Sequence, residues 1–202
     1  MLQTAENRAR RKNDPQGTRT NILDTAFELF QTRGYNGTSM QEIVAAAGVT
    51  AGAVHHHFAT KKALGLEVIR QKVAASVEET WLQPLRSADS APAAISAIIE
   101  GLARDMDARG SVRGCPLNNL TLELSFADPD FREELRHIFD DWRATLAKRL
   151  LEEAGRGISD AKDLAATVVA TYSGAMALAK VEQSGEPLRI GARQLAILLR
   201  SR

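Results

Sequence analysis

Residues 53–64 read AVHHHFATKKAL, three adjacent histidines followed by a phenylalanine and, two residues on, a pair of lysines. Histidines raise metal chelation, and lysines raise the binding of an anion. A helix chelates one metal through histidines a turn apart, at i and i+4. His55, His56 and His57 instead fan out by about 100° each around a helix. The positions one turn away, Ala51, Gly52, Ala53, Ala59, Thr60 and Lys61, offer no ligand. The remaining histidine is His137 and the one cysteine is Cys115. We therefore expect no metal and no cofactor here, and turn to the anion.

Cys115 opens two other chemistries. Paired with His137 as base it would make a Cys/His hydrolase-like enzyme, but nothing in the sequence places the two together, and we expect no enzyme. Alone, Cys115 reads as a helix N-cap before Pro116, with Arg113 two residues earlier. A helix N-terminus and a nearby cation both favour thiolate, the form that reacts with electrophiles. Against this stands plain packing, because free cysteines are often small buried side chains.

The elements that must position these residues are helical. Residues 18–33 carry Ile22, Leu23, Ala26, Phe27 and Phe30 at helical spacing, and Gly34 suits a helix stop. Ser39 with Glu42 forms a capping-box pattern, and Gly48 ends a helix of about two turns. Thr50 caps a short helix that runs into the histidines. Thr60 caps the next, which carries Leu64, Val68, Val73, Val77 and Trp81 before Pro84. Further helices are expected near 92–109, 116–126, 129–154, 159–183 and 187–200. Asp128-Pro129 marks one start and Pro187 another. No segment alternates between turn residues as a strand would, so the fold class expected is all-α.

Composition limits the partners. One cysteine excludes an intrachain disulfide framework and fits a reducing compartment. No apolar run looks long enough to span a membrane, and the basic N-terminus lacks the apolar core of a signal peptide. A cytoplasmic protein without a membrane partner is expected. Residues 1–72 hold ten Lys/Arg against six Asp/Glu, and 73–202 hold sixteen against nineteen, so charges of +4 and −3 add to the net +1. A basic head on an acidic body fits nucleic-acid binding at one end, although so small a difference also fits ordinary solvated surface charge.

Two short helices joined by GVTA form a helix-turn-helix arrangement, whose second helix must stay exposed to enter a major groove. Here the sequence resembles a family. TRTNILDTAFELFQTRGYNGTSMQEIVAAAGVTAGAVHHHFATKKAL, residues 18–64, is similar to the N-terminal DNA-binding domain of TetR-type repressors. The link RGY.GTS, the turn I...AGV and the final HF..K..L carry the resemblance in register. It implies a flexible basic arm over 1–17, a three-helix helix-turn-helix domain over 18–64, and a helical ligand-binding and dimerisation domain over 65–202. The implied partners are double-stranded operator DNA with a palindromic site, a small-molecule effector that releases the protein from it, and a second copy of the chain.

The resemblance also separates the three histidines. His57 and Phe58 match the pair that packs the recognition helix on its domain. His55 stands where the family has a phosphate-touching tyrosine, and His56 in the variable position beside it. Lys61 and Thr38 match phosphate contacts. Ala51 departs from the family, standing where many relatives carry lysine, so base readout shifts to Thr50, Gly52 and His56, with Ser39, Met40 and Gln41 from the second helix. The arm would add Arg8, Arg10, Arg11 and Lys12.

In the body, the resemblance implies that the last two helices pair with their twins. Ala166, Ala170, Gly174 and Ala177 are small enough for close approach, and Leu188, Ala192, Leu195 and Leu199 form one stripe. The stripe alone also fits burial inside one chain. Pocket candidates are Trp81, Met106, Cys115, Asn118, Asn119, Phe126, Trp142, Tyr172 and Met176, each of which also reads as core. GCPLNNLTLELS, residues 114–125, resembles a branch of the family with a Gly-Cys-Pro/Leu-Leu-x-Asn-Leu opening, some of whose members respond to reactive electrophiles or other xenobiotics. A helical interaction module that has lost DNA binding is the remaining alternative, and Lys61 and the basic arm argue against it.

Overall fold

The computed structural model describes residues 14–152 and 158–200, and among these every regular element is a helix. The arm residues Arg8, Arg10, Arg11 and Lys12 lie outside the described residues. The chain divides into two compact units, Met1–Lys72 and Val73–Arg202.

In the first unit α1 spans Pro15–Arg33, α2 Met40–Ala47 and α3 Ala51–His57. Each start is chemically specified. Asp14 accepts from Gly17 N at 2.9 Å with Pro15 in the first turn, so α1 begins earlier than its apolar periodicity predicts. This is the same Asp-Pro signal as at residues 128 and 129. At α2 the Ser39 hydroxyl accepts from Glu42 N at 3.2 Å, and Ser39 N donates back to the Glu42 carboxylate at 2.7 Å. Hydrogen bonds to the Glu42 carboxylate from Ser39 N and from the Ser39 hydroxyl, with the Arg33 guanidinium beside it, hold the carboxyl below the usual carboxylate range. Thr50 caps α3 through Ala53 N at 3.1 Å. Gly48, at φ 65°, makes the left-handed turn between α2 and α3, a conformation that a side chain would strain. Ile22, Leu23, Ala26 and Phe30 of α1 meet Ile43 of α2 and Val54 of α3 in a small core.

α4 starts at Lys61–Val68, with Thr60 accepting from Ala63 N at 3.0 Å, and continues by π-helical turns Ile69–Val73 and Glu78–Leu82 and α-helical turns Ala74–Val77 and Gln83–Ser87. Sequence predicted an end before Pro84. The π turn just ahead shifts the hydrogen-bond register, so proline falls in the first turn of a new α segment, where its missing N–H costs little. The unit boundary falls within α4.

The second unit adds α5 (Ala91–Arg109), α6 (Pro116–Leu124), α7 (Pro129–Leu151), α8 (Ile158–Glu182) and α9 (Glu186–Arg200). α8 packs on α7 and α9, and α9 packs on α5. Leu188, Ala192, Leu195 and Leu199 are all buried by this packing. The stripe expected at a dimer interface is therefore intrachain core, a correction that periodicity could not supply. By contrast Ala166, Ala170, Gly174 and Ala177 are exposed. The apolar stretch of α8 is longer than the sequence expectation allowed: Asp160–Glu182 has the length and, with a mean hydropathy of 1.4 over an 18-residue window, the composition of a spanning helix. In this fold its apolar residues divide between the core and a face of small side chains.

Two side chains clip connecting segments of the second unit, one before α6 and one at the end of α4. Gln183 takes a left-handed φ of 52°, and its side-chain amide accepts from Val112 N at 3.0 Å and donates to Val112 O at 3.1 Å. Arg149 donates to Leu85 O at 2.9 Å and Ala88 O at 2.5 Å, tying α7 to the end of α4.

Candidate nucleic-acid interface and body cavity

α3 has one buried apolar residue, Val54, which turns the opposite face outward. Ala51 and His55, and Gly52 and His56, are i, i+4 pairs on that face, and all four are exposed with Thr50 at their head. No acidic residue occupies the first turn of α3 or α4, so nothing there repels a phosphate. Lys61 opens α4 half-buried, its Nζ 4.2 Å from the centre of the Tyr35 ring. This cation–π contact braces the ammonium, and makes Tyr35 a positioning residue that sequence reading saw only as part of a link.

His57 is half-buried, 6.4 Å ring to ring from Phe58, which is itself buried under the Arg19 guanidinium. Arg19 also pairs with Glu67 and joins α1 to α4. At the head of α2, Ser39 and Gln41 are exposed and Met40 is half-buried. Thr38 is different. It is 1% exposed and its hydroxyl donates to Gly34 O at 2.8 Å. As a phosphate contact it needs correction: the hydroxyl is spent on the turn, so Thr38 shapes the head of α2 from inside.

In the body, Trp81, Trp142 and Tyr172 form a buried cluster, with ring centroids 4.8 Å apart for Trp81–Trp142, 4.9 Å for Trp81–Tyr172 and 5.5 Å for Trp142–Tyr172. Phe139 stacks on Trp142 at 6.3 Å. The Cys115 thiol and the Tyr172 hydroxyl lie against each other and influence each other's ionisation. Burial pushes the Cys115 thiol up, against the opposing pull of the Asn118 N–H, Tyr172 and the Leu117 N–H. Burial likewise pushes the Tyr172 hydroxyl well above its usual range, and the nearby Trp81 indole opposes part of that rise without reaching hydrogen-bond geometry. The local signal for a thiolate at Cys115 is thus outweighed by desolvation.

His137 is exposed on α7 and paired with Glu133, while Cys115 is buried against Tyr172, so the structure does not assemble the hydrolase-like pair. Among the described residues no group of three or more His, Cys, Asp or Glu is placed to hold a metal.

A cavity of about 450 Å³ opens between α6, α7 and α8. It brings together Cys115, Asn118, Asn119 and Met176 from the predicted set, and adds Thr121 and Ser173, which carried no sequence signal. Five predicted pocket residues fall outside it, three of them being Trp81, Trp142 and Tyr172 of the buried aromatic cluster. Phe126 follows the end of α6 and is 98% exposed, and Met106 on α5 does not line this cavity.

Two family models match the chain. Residues 22–68 match bacterial regulatory proteins of the tetR family, and residues 91–194 match the C-terminal domain of LmrA/YxaF-like transcriptional regulators. The HTH-type transcriptional repressor DhaR of Mycobacterium sp. (strain GP1) is 29% identical over 182 residues, 84% of this chain and 86% of its own. The HTH-type transcriptional regulator LmrA of Bacillus subtilis is 28% identical over 180 residues, 85% of this chain and 90% of its own. The crystal structure of a TetR transcriptional regulator from Chloroflexus aurantiacus shares the fold at a TM-score of 0.82 and 28% identity, over 93% of this chain and 96% of that one.

Proposed function

The chain belongs to the TetR family of bacterial regulatory proteins, with a C-terminal domain of the LmrA/YxaF-like kind, and on that premise we propose how this ligand-responsive DNA-binding regulator works. It is a regulator and not an enzyme. In our reading it is a cytoplasmic repressor. It binds a pseudo-palindromic operator as a homodimer and leaves it when a small molecule enters the body. One observation carries the DNA side: the exposed α3 face of Thr50, Ala51, Gly52, His55 and His56, next to a lysine braced on Tyr35.

The roles divide by chemistry. Lys61 and His55 hold phosphates, and Thr50, Gly52 and His56 with Ser39, Met40 and Gln41 meet bases or the backbone beside them. The helix-turn-helix domain of 18–64 reads DNA, the body of 65–202 binds effector and partner, and the basic arm of 1–17 adds general affinity. The segment GCPLNNL helps build the body cavity. A thiol buried as Cys115 is makes a poor resting electrophile sensor, which favours packing over the covalent alternative.

The test is a mobility-shift titration on the DNA upstream of the protein's own gene, repeated over a salt series. The parent is expected to shift a fragment containing an inverted repeat with half-site centres about one helical turn apart, or a multiple of it. Lys61→Ala should weaken specific and unrelated DNA alike and reduce the salt slope by about one, leaving sequence preference intact. A slope unchanged in Lys61→Ala would remove the phosphate role, and absence of any shift by the parent would sink the regulator reading itself.

A further inference from the structure

We propose that the cavity between α6, α7 and α8 takes an uncharged organic molecule by a carbonyl-type oxygen, held by the side-chain amide of Asn118. The assignment rests on the reading of the body as the effector domain and specifies what the effector must be.

Among the described residues, four buried side-chain polar atoms have no hydrogen-bond partner: Trp81 Nε1, Trp142 Nε1, Asn118 Nδ2 and Thr121 Oγ1. Three are N–H groups that only donate, and the hydroxyl can donate too. What this interior lacks is acceptors. Interiors leave few such atoms unmatched, and each calls for a cause.

Asn118 and Thr121 line the cavity together, three residues apart on α6 and so on one face of the helix. Ser173 Oγ donates to Asn118 Oδ1 at 3.2 Å, and in that orientation of the amide Nδ2 is the unmet group. The other two orphans lie one side-chain layer behind the wall: Phe139 stacks on Trp142, and Cys115 touches Tyr172, which packs on both indoles. Leu122, Phe139 and Met176 supply the apolar surface for the rest of the ligand.

Charge decides the class. No charged side chain is buried among the described residues. Lys180 at the mouth is exposed and donates to Asn119 Oδ1 at 3.1 Å. An anion moved into the cavity would lose its water without a buried cation in return, and a cation would meet no carboxylate in the lining. A neutral acceptor meets neither penalty.

Isothermal titration calorimetry on the full chain with acetophenone, ethylbenzene and benzoate separates the classes, since the three share a phenyl ring and differ in the polar group. Acetophenone is expected to bind about tenfold tighter than ethylbenzene, the worth of one good buried hydrogen bond, and benzoate most weakly. Asn118→Leu should reduce acetophenone to the affinity of ethylbenzene, with ethylbenzene unchanged. The variant should fold, because it replaces a half-buried amide with an unmet Nδ2 by an apolar group of similar size, at the loss of the one hydrogen bond from Ser173. Asn118→Asp, which keeps the shape but turns the donor into an acceptor, should also lose acetophenone. Equal binding of acetophenone and ethylbenzene, tightest binding of benzoate, or an acetophenone preference retained in Asn118→Leu overturns the proposal. No heat with any of the three also overturns it. DNA shifts on the same samples keep the outcomes apart, because a parent that binds its operator while the cavity fails leaves the regulator reading standing.

Discussion

Gly174→Arg is expected to turn the proposed dimer into a monomer and to weaken operator binding by at least about a hundredfold, the loss that follows when two linked half-site contacts become independent. The position is chosen by burial rather than by periodicity. Ala166, Ala170, Gly174 and Ala177 follow one another along the outside of α8, and all are exposed. The same outer surface carries Leu178 at 57% and Val181 at 85% exposure, and α9 adds Ile190 and Ile197 at 49% and 61%. An apolar strip of this kind on two neighbouring helices is what a two-fold partner covers. A Cβ at Gly174 meets nothing within 4 Å, so inside one chain arginine has room. Exchanging a mid-helix glycine for arginine also gains helix propensity, by roughly 0.5–1 kcal/mol. A folded monomer is therefore the expected product, seen by sedimentation beside an unchanged helical signal. Sedimentation of Gly174→Arg as a dimer with parental affinity for DNA would place the interface elsewhere.

The contrast between that strip and Leu188, Ala192, Leu195 and Leu199 shows what the sequence carried. Both read as close-packing surfaces along a helix, and nothing in either pattern states which chain supplies the partner. Burial separates them: the leucines of α9 already face α5 and α8 of their own chain. Local signals were far more legible. The caps at Ser39, Thr50 and Thr60 each act on a backbone N–H three residues away, and all three form as the sequence predicts. The Asp14-Pro15 start was equally local and was hidden only by the polar residues after it.

Cys115 and Thr38 show the opposite case, where the decisive contacts lie outside the local pattern. A helix N-terminus favours thiolate at Cys115, yet desolvation in a core built from distant segments raises the thiol and outweighs the pull of the Asn118 and Leu117 N–H groups and of Tyr172. Thr38 sits where the family pattern implies a phosphate contact, yet its hydroxyl turns inward to Gly34 O. Thr121 and Ser173 had no motif to announce them, because a cavity is a property of three helices at once.

Trp142→Ala is expected to cost the body about 3–5 kcal/mol, the usual price of emptying a buried aromatic site. Against a typical total of roughly 5–15 kcal/mol this is a large fraction. Trp142 is 0% exposed and stands between the rings of Trp81, Tyr172 and Phe139, so no single neighbour can collapse into the space it leaves. Trp142→Phe should behave differently. It keeps an aromatic ring against the same neighbours and removes Nε1, a buried donor with no partner. An unmatched donor of this kind carries a penalty of about 1–3 kcal/mol, which offsets much of the lost contact area. The phenylalanine variant is therefore expected within about 1–2 kcal/mol of the parent, well apart from alanine. Urea unfolding followed by far-ultraviolet circular dichroism gives both numbers, at one fixed protein concentration because association adds to the apparent stability. A loss below about 1 kcal/mol for Trp142→Ala would mean that the ring is not a core element. Equal losses for the two variants would mean that Nε1 is hydrogen-bonded in solution, and that the unmatched donors behind the cavity already have their acceptor.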